Sequence, residues 1–129
     1  MTGRRILVVE DNPLNQKLVR DVLTASGYQV LVAGTGEEGV RLAAAEAPDL
    51  ILMDIQLPGI DGYEALRLLR QMPQLAGLPV VAVTAFAMPE DRERATREGF
   101  DGYLGKPISV SALPSQVDEF LSGRGADVS

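Results

Sequence analysis

The sequence predicts an α/β fold in which a parallel sheet is covered by helices on both faces. Short, continuous apolar runs rich in β-branched residues recur along the chain, as in strands buried on both sides. Segments with the apolar spacing of helices lie between these runs. The chain has 129 residues, which is enough for one domain with a substantial core.

Each predicted strand is marked by one apolar run, of which the last is the weakest: Ile6–Val9, Val30–Ala33, Leu50–Met53, Val80–Val83 and Tyr103–Leu104. Helical spacing is clearest in three sets of residues: Leu14, Leu18 and Val22 with Val19 and Leu23; Leu66 and Leu69; and Leu113, Val117, Phe120 and Leu121. The order of elements is therefore five strands, each followed by a helix.

Two helices have clear end signals. Asn12 before Pro13 is typical of an N-cap followed by proline in the first turn, and Gly27 closes that helix. Pro89, with acidic residues after it, begins another helix in the same way, and Gly99 ends it.

Composition excludes several kinds of site. The chain has neither cysteine nor histidine, which excludes disulfides, thiolate and imidazole metal sites and a phosphohistidine role. The formal net charge of −6 is unfavourable for binding nucleic acid or an anionic membrane surface. The apolar run near the N-terminus is too short for a signal peptide or membrane span. We therefore expect a cytoplasmic protein with no nucleic acid or membrane partner.

Polar residues follow four of the five predicted strands: Glu10 and Asp11, Asp54, Thr84, and Lys106. The carboxyl ends of parallel strands share one edge of the sheet, where ligands of such folds bind. Three carboxylates there would repel one another unless a cation compensates them, and Mg²⁺ prefers such oxygen ligands. The hydroxyl and the amine suit phosphoryl oxygens, and a carboxylate can attack phosphorus to form an acyl phosphate.

Each of these residues also has an ordinary explanation. An aspartate after a strand is usually a turn or helix cap, and a single threonine or lysine is usually structural or solvated. The prediction of a phosphoryl site depends on the coincidence at four separate strand ends.

Four segments together resemble the receiver domains of two-component response regulators: Val9–Asn12, Leu52–Gly59, Val83–Ala85 and Lys106–Pro107. The resemblance extends over about residues 5 to 122. It implies a flavodoxin-like sheet with strand order 2-1-3-4-5. We expect the receiver domain to span residues 1–122 and a short flexible tail to span 123–129. Three stretches resemble single-domain cell-cycle regulators most, and also receivers attached to hybrid histidine kinases: Asp49–Pro58, Val80–Met88 and Lys106–Val110.

The resemblance implies a role for the acidic residues. Asp54 would be the phosphoacceptor and would also bind Mg²⁺. Asp11 would bind the ion directly, Glu10 would assist through water, and Gln56 would add its backbone carbonyl.

The remaining site residues would bind the phosphoryl group and report its presence. Thr84 and Lys106 would contact the phosphoryl oxygens, and the Lys106–Pro107 peptide bond would be cis. Tyr103 would be the aromatic switch residue, which turns inward when Thr84 is drawn toward the phosphate.

The resemblance also implies partners. A sensor histidine kinase or a histidine phosphotransfer protein would donate the phosphoryl group to a stand-alone regulator. A downstream protein would then bind the face formed by the fourth helix, fifth strand and fifth helix. Such a domain promotes its own phosphorylation and dephosphorylation but is not a turnover enzyme. We expect a monomer or a weak, phosphorylation-dependent dimer. The sequence leaves open whether the domain relays phosphate or controls a kinase, and whether it was excised from a hybrid kinase.

Three positions add expectations of their own. In the family that the chain resembles, the positions two residues past the acceptor and past the threonine, here Gln56 and Phe86, govern water access to the acyl phosphate, and Phe86 could shield it. Pro114 lies inside the expected last helix, where proline is tolerated only in the first turn. We therefore predict that this helix begins near Ser111 and not at Ile108.

Two other functions are weighed against this one. Gly34-x-Gly36-x-x-Gly39 has the spacing of a dinucleotide fingerprint, but it follows the second strand and is better explained by a glycine-rich turn. A phosphatase of the haloacid dehalogenase type also uses an aspartate after a strand. It needs a second acid two residues later, where this chain has Gln56, which cannot transfer a proton usefully.

Overall fold

The computed structural model describes residues 4–85 and 88–122 and shows a parallel sheet with helices on both faces. The elements in chain order are β1 (Arg5–Val9), α1 (Pro13–Ala25), β2 (Gln29–Ala33), α2 (Gly36–Glu46), β3 (Leu50–Asp54), α3 (Gly62–Arg70), β4 (Val80–Thr84), α4 (Pro89–Glu98), β5 (Gly102–Gly105) and α5 (Leu113–Leu121). The strand order is β2-β1-β3-β4-β5, and every neighbouring pair is parallel. The predicted fold is confirmed.

Helices cover both faces of the sheet, and successive side chains of a strand point to opposite faces, so each strand contributes to two cores. Leu7 and Val9 of β1 pack in one cluster with residues of α2 and α3, together with Ala95 of α4. Ile6 and Val8 pack in a second cluster, with residues of α1 and α5. The continuous apolar runs that predicted the strands are thus explained by two cores, one on each face.

Helix α1 begins and ends at the predicted signals. The Asn12 side chain accepts hydrogen bonds from the backbone N–H groups of Leu14 and Asn15, which have no partner inside the helix. Gly27 has a φ of 98° just past the helix end, and Gly99 has a φ of 111° at the end of α4. None of the helices in the described part of the chain is long and apolar enough to cross a membrane.

The predicted apolar stripe of α1 is wrong in part. Val19 and Leu23 are buried, but Leu14 is 78% exposed and Leu18 is 38% exposed. Residues four apart advance about 40° around a helix with 3.6 residues per turn, so a series of fourth residues leaves the buried face. Helix α1 therefore presents two leucines to solvent beside the carboxyl edge of the sheet.

Helix α5 begins late, at Leu113, so Pro114 lies in its first turn. Proline fits there because the N–H groups of a first turn have no partner inside the helix. Residues 110–112 form a turn. The prediction of a late start is confirmed, with the helix beginning two residues after Ser111.

The glycines of the fingerprint-like motif are explained by packing. A Cβ at Gly36 would lie 2.7 Å from Cγ1 of Ile60, and a Cβ at Gly39 would lie 2.7 Å from Cγ2 of Val9. Both contacts are closer than side-chain atoms tolerate. Glycine lets α2 approach β1 and the loop before α3, so the spacing needs no bound dinucleotide to account for it.

Candidate functional site

The predicted site lies where the fold buries its polar side chains. Among the described residues, tyrosines aside, the buried polar or charged side chains are Glu10, Asp54 and Thr84. Glu10 follows β1, while Asp54 and Thr84 are the last residues of β3 and β4. Burying a charge is costly unless it is paired. Their shared position at one edge of the sheet therefore indicates a built site.

Lys106 joins the strand ends. Its Nζ lies 2.8 Å from Oε1 of Glu10 and 2.8 Å from Oδ2 of Asp54. Its backbone N–H donates to the carbonyl oxygen of Thr84 over 2.8 Å, which fixes the residue directly after β5. The Lys106–Pro107 peptide bond is cis. One ammonium group thus contacts carboxylates that are 44 residues apart in sequence.

Burial and pairing act in opposite directions on the pKa values of Glu10 and Lys106. Burial raises the pKa of Glu10 above its ordinary value of 4.5, although hydrogen bonds from Lys106 and from the backbone of Asn12 act in the other direction. Burial alone would lower the pKa of Lys106, but hydrogen bonds and charge interactions with Asp54 and Glu10 raise it above 10.5. The lysine is therefore a fixed positive charge at neutral pH.

Oxygen atoms of Glu10, Asp11 and Asp54 lie within 4.8 Å of one another. Asp11 is exposed and the other two are buried. Three carboxylates against one ammonium leave two negative charges in excess, which a divalent cation would cancel. The donor set, made of carboxylate oxygens on a solvent-accessible edge, fits Mg²⁺.

The backbone of Gln56, in the loop after β3, also contacts the site. The backbone N–H of Gln56 donates to Oδ1 of Asp54 over 2.9 Å, while the Gln56 side chain is exposed. Both oxygens of the Asp54 carboxylate are therefore held, one by this N–H and the other by Lys106, which fixes the direction of the group.

Tyr103 lies on the other side of the site. It is half-buried on β5, and the Arg92 guanidinium lies 5.3 Å from the centre of its ring. Tyr103, Thr84 and Gln56 line one cleft of about 520 Å³, which also contains Arg94. Phe86, which the sequence suggested could shield the acyl phosphate, lies outside the described residues.

Two further residues, which the sequence did not single out, support the site. The side chain of Gln16 in α1 donates to the backbone oxygen of Glu10. A Cβ at Gly62, the first residue of α3, would lie 2.6 Å from the backbone oxygen of Asp54. Neither residue belongs to a recognisable motif, since each matters only through a contact made in the folded chain.

Comparison with known proteins identifies the family. The model of the response regulator receiver domain matches residues 6–118. The chain belongs to this family. The prediction made from the four strand-end segments is confirmed, and the receiver domain serves two-component signalling.

Curated relatives of similar sequence belong to the same family of response regulators. The chain is 45% identical over 118 residues to the polar-differentiation response regulator DivK of Brucella ovis, covering 92% of this chain and 96% of that protein. DivK of Brucella abortus shows the same identity and coverage. This bears out the likeness to single-domain regulators seen in three stretches of the sequence.

Solved structures extend the comparison. A receiver domain of a Pseudomonas aeruginosa sensor histidine kinase, with a magnesium ion in its active-site cleft, is 38% identical with a TM-score of 0.86. The match covers 93% of this chain and 98% of that one. A response regulator of Chloroflexus aurantiacus is 31% identical with a TM-score of 0.88, at the same coverage. The CheY4 chemotaxis protein of Vibrio cholerae is 26% identical with a TM-score of 0.85, covering 90% and 97%.

Proposed function

We propose that this receiver domain accepts a phosphoryl group on Asp54 from a sensor histidine kinase or a histidine phosphotransfer protein. The observation that carries the proposal is the buried Asp54 carboxylate, which Lys106 contacts at 2.8 Å beside two further carboxylates. An isolated buried carboxylate would be costly, whereas this one is oriented, paired and adjacent to a site suited to a cation.

The transfer is an in-line displacement at phosphorus. A carboxylate oxygen of Asp54 forms the new bond to phosphorus, and the bond from phosphorus to the donor's imidazole nitrogen breaks with its electron pair left on that nitrogen. Lys106 would pair with a phosphoryl oxygen, and Thr84 would donate a hydrogen bond to another. Catalysis of such transfers is chiefly positioning and charge neutralisation.

The metal would be held by Asp11, Glu10, Asp54 and the backbone carbonyl of Gln56. Mg²⁺, when bound, supplies positive charge to the phosphoryl oxygens. The magnesium in the cleft of the Pseudomonas receiver supports this assignment, as does the excess of two negative charges in the acidic cluster.

An apolar patch beside the site supports a protein as the donor. Leu14, Leu18 and Val110 are exposed, and Leu18 also lines a cavity of about 380 Å³ together with Ile108 and Lys106, among others. An exposed apolar side chain beside a polar site is typical of protein contacts. A small phosphate donor would need none of them.

The acceptor is tested with acetyl phosphate carrying labelled phosphorus. We expect Mg²⁺-dependent labelling that borohydride reduction and mass spectrometry locate on Asp54, and we expect Asp54→Asn to lose it. Asp21→Asn, which alters an exposed aspartate paired with Lys17, should be labelled like the parent. Labelling of Asp54→Asn at the parent rate would overturn the proposal.

The output would be a population shift. Thr84, drawn toward the phosphoryl group, would bias Tyr103, and the face formed by α4, β5 and α5 would bind a downstream protein. In α4, Ala95 is the buried residue and Arg92 lies over the Tyr103 ring. Helix α4 therefore packs on the sheet through few apolar contacts, which makes it the element that can move at least cost.

The switch is tested by NMR with beryllium fluoride, a phosphoryl analogue, and Mg²⁺. We expect the Tyr103 ring signals and the α4 amides to shift in the parent domain. In Thr84→Ala, the analogue should still perturb signals around Asp54 but leave Tyr103 unshifted. Equal Tyr103 shifts in both proteins would exclude Thr84 as the link.

The remaining properties follow from this function. The domain would work in the cytoplasm as a monomer or weak phosphorylation-dependent dimer. Residues 123–129, expected to form a flexible tail, lie outside the described residues. Its partners would be proteins, with no nucleic acid or membrane contact. It would not turn over a substrate. Repeated hydrolysis of a generic phosphomonoester would instead favour the phosphatase alternative. Phosphotransfer profiling against the histidine kinases of the source genome, run with the parent and with Asp54→Asn, would identify the cognate kinase.

A further inference from the structure

Gln16 connects helix α1 to the strand end that carries two of the three carboxylates. Its side-chain N–H donates to the backbone oxygen of Glu10 over 2.5 Å and to that of Ala33 over 3.4 Å. Its backbone N–H donates to the oxygen of Asn12 over 2.9 Å. The turn from β1 into α1 is thus held at both ends by one residue.

The oxygen that Gln16 contacts belongs to the peptide bond between Glu10 and Asp11. The N–H of Glu10 donates to Ala33 over 2.9 Å, and the N–H of Asn12 donates to the Glu10 carboxylate over 3.0 Å. The Gln16 side chain is therefore the contact that ties the Glu10–Asp11 peptide to helix α1.

Asp11 depends on that peptide more than Glu10 does. The Glu10 carboxylate is buried and paired with Lys106. The Asp11 carboxylate is exposed, and no hydrogen bond or ion pair to it is found within residues 4–85 and 88–122. Its place within the acidic cluster is therefore set by the backbone alone.

We propose that Gln16 is a positioning residue for Mg²⁺, which holds the Glu10–Asp11 peptide so that the Asp11 carboxylate meets the ion together with Asp54. The inference rests on the metal site of the proposed function. Mg²⁺ demands near-ideal octahedral geometry, and a binding constellation tolerates displacements of only about 0.5 Å. Freeing the peptide should therefore weaken the ion's binding more than it weakens the fold.

Other polar residues of α1 do not share this arrangement. Lys17 and Arg20 are exposed and pair with Asp21 of the same helix. Gln16 is half-buried and contacts two strand ends instead. The difference identifies it as a link between the helix and the site and not as part of a solvated face.

The test compares Gln16→Met, which keeps the length of the side chain but cannot donate, with Leu23→Ala. Leu23 is a fully buried residue of the same helix, and its truncation destabilises the fold without touching the strand end. Mg²⁺ binding is measured by isothermal titration calorimetry, thermal unfolding is measured without metal, and the rate of labelling by acetyl phosphate is followed over a range of Mg²⁺ concentrations.

We expect the Mg²⁺ dissociation constant to rise roughly three- to tenfold in Gln16→Met, the size of one lost hydrogen bond. Leu23→Ala should bind Mg²⁺ like the parent despite a lower melting temperature. The labelling rate of Gln16→Met should return to the parent value at saturating Mg²⁺.

An unchanged dissociation constant in Gln16→Met would overturn the proposal, as would an equal rise in Leu23→Ala, which would make the effect one of stability. A labelling rate that stays low at saturating Mg²⁺ would also contradict it. Failure of the proposed function is a different result, because the parent would then bind Mg²⁺ without any labelling of Asp54.

Discussion

Replacing Gly62 with alanine is expected to destabilise the fold and disable the phosphoacceptor together. The new Cβ would lie 2.6 Å from the backbone oxygen of Asp54 and 2.7 Å from Cα of Ile55. Both are backbone atoms of the acceptor segment, so no side-chain rotation can relieve the contact. The N–H of Gly62 also donates to the oxygen of Ile55 over 2.8 Å, which draws the two segments together.

The sign of the effect follows from comparing two magnitudes. Alanine in place of glycine within a helix is favourable by up to about 1 kcal/mol. Overpacking a rigid contact costs about 1–3 kcal/mol, and here the contact is with backbone. We expect Gly62→Ala to lower the free energy of unfolding by about 2 kcal/mol, and to slow the labelling of Asp54 even where the protein is folded.

Gly77→Ala is the matched control. Beyond the adjoining residues, no heavy atom of the described chain lies within 4 Å of the position that its Cβ would take, so the substitution should leave stability equal or slightly higher. Urea unfolding followed by circular dichroism measures the stabilities, and labelling by acetyl phosphate reports on the site. Equal stability and labelling in the two variants would contradict the prediction, because they would show that the loop after β3 can move to accommodate the added Cβ.

The contrast between Gly62 and Asp54 shows what the sequence can predict. Asp54 ends an apolar run. Because ligands bind at the carboxyl ends of parallel strands, the other residues of its site could be predicted from the sequence alone. The central strands β1, β3 and β4 were predictable because their apolar runs are buried on both faces, whereas the edge strands β2 and β5 are only partly buried. Gly62 and Gln16 act through contacts with backbone atoms at other places in the chain, which no local pattern encodes.

The surface of α1 shows a second limit. Leu14 and Leu18 have the spacing of a buried stripe, yet they are exposed because residues four apart drift about 40° around the helix and leave its buried face. Apolar periodicity indicates which residues share a helix face. It does not show whether that face packs against the core of the same domain or is available to a partner protein.

Replacing Lys106 with methionine is expected to destabilise the fold at neutral pH and to slow phosphorylation without abolishing it. The lysine contacts Glu10 and Asp54 at 2.8 Å each, and both carboxylates are buried. Removing the cation leaves two like charges together in a poorly solvated place. Breaking a buried pair costs about 3–5 kcal/mol. Because the lysine side chain is 20% exposed, we expect a loss of about 2 kcal/mol.

The pH dependence gives the sharper test. The pKa of Lys106 is raised above 10.5 by its two partners, so in the parent its contribution is complete below pH 10.5 and is lost only as the pH rises through the folded value. The pKa of Glu10 is already raised above 4.5 by burial, with Lys106 opposing. Without the lysine it rises further, so the folded variant binds more protons than its unfolded chain over a wider range above pH 4.5. Its stability therefore falls further than the parent's as the pH rises through that range.

The difference in stability between the parent and Lys106→Met should thus be small near pH 4 and largest near pH 8. Urea unfolding at several pH values measures it. Lys17→Met, which removes an exposed lysine paired with Asp21, should follow the parent at every pH. A gap between parent and Lys106→Met that does not change with pH would mean that the lysine stabilises the fold by packing its aliphatic chain.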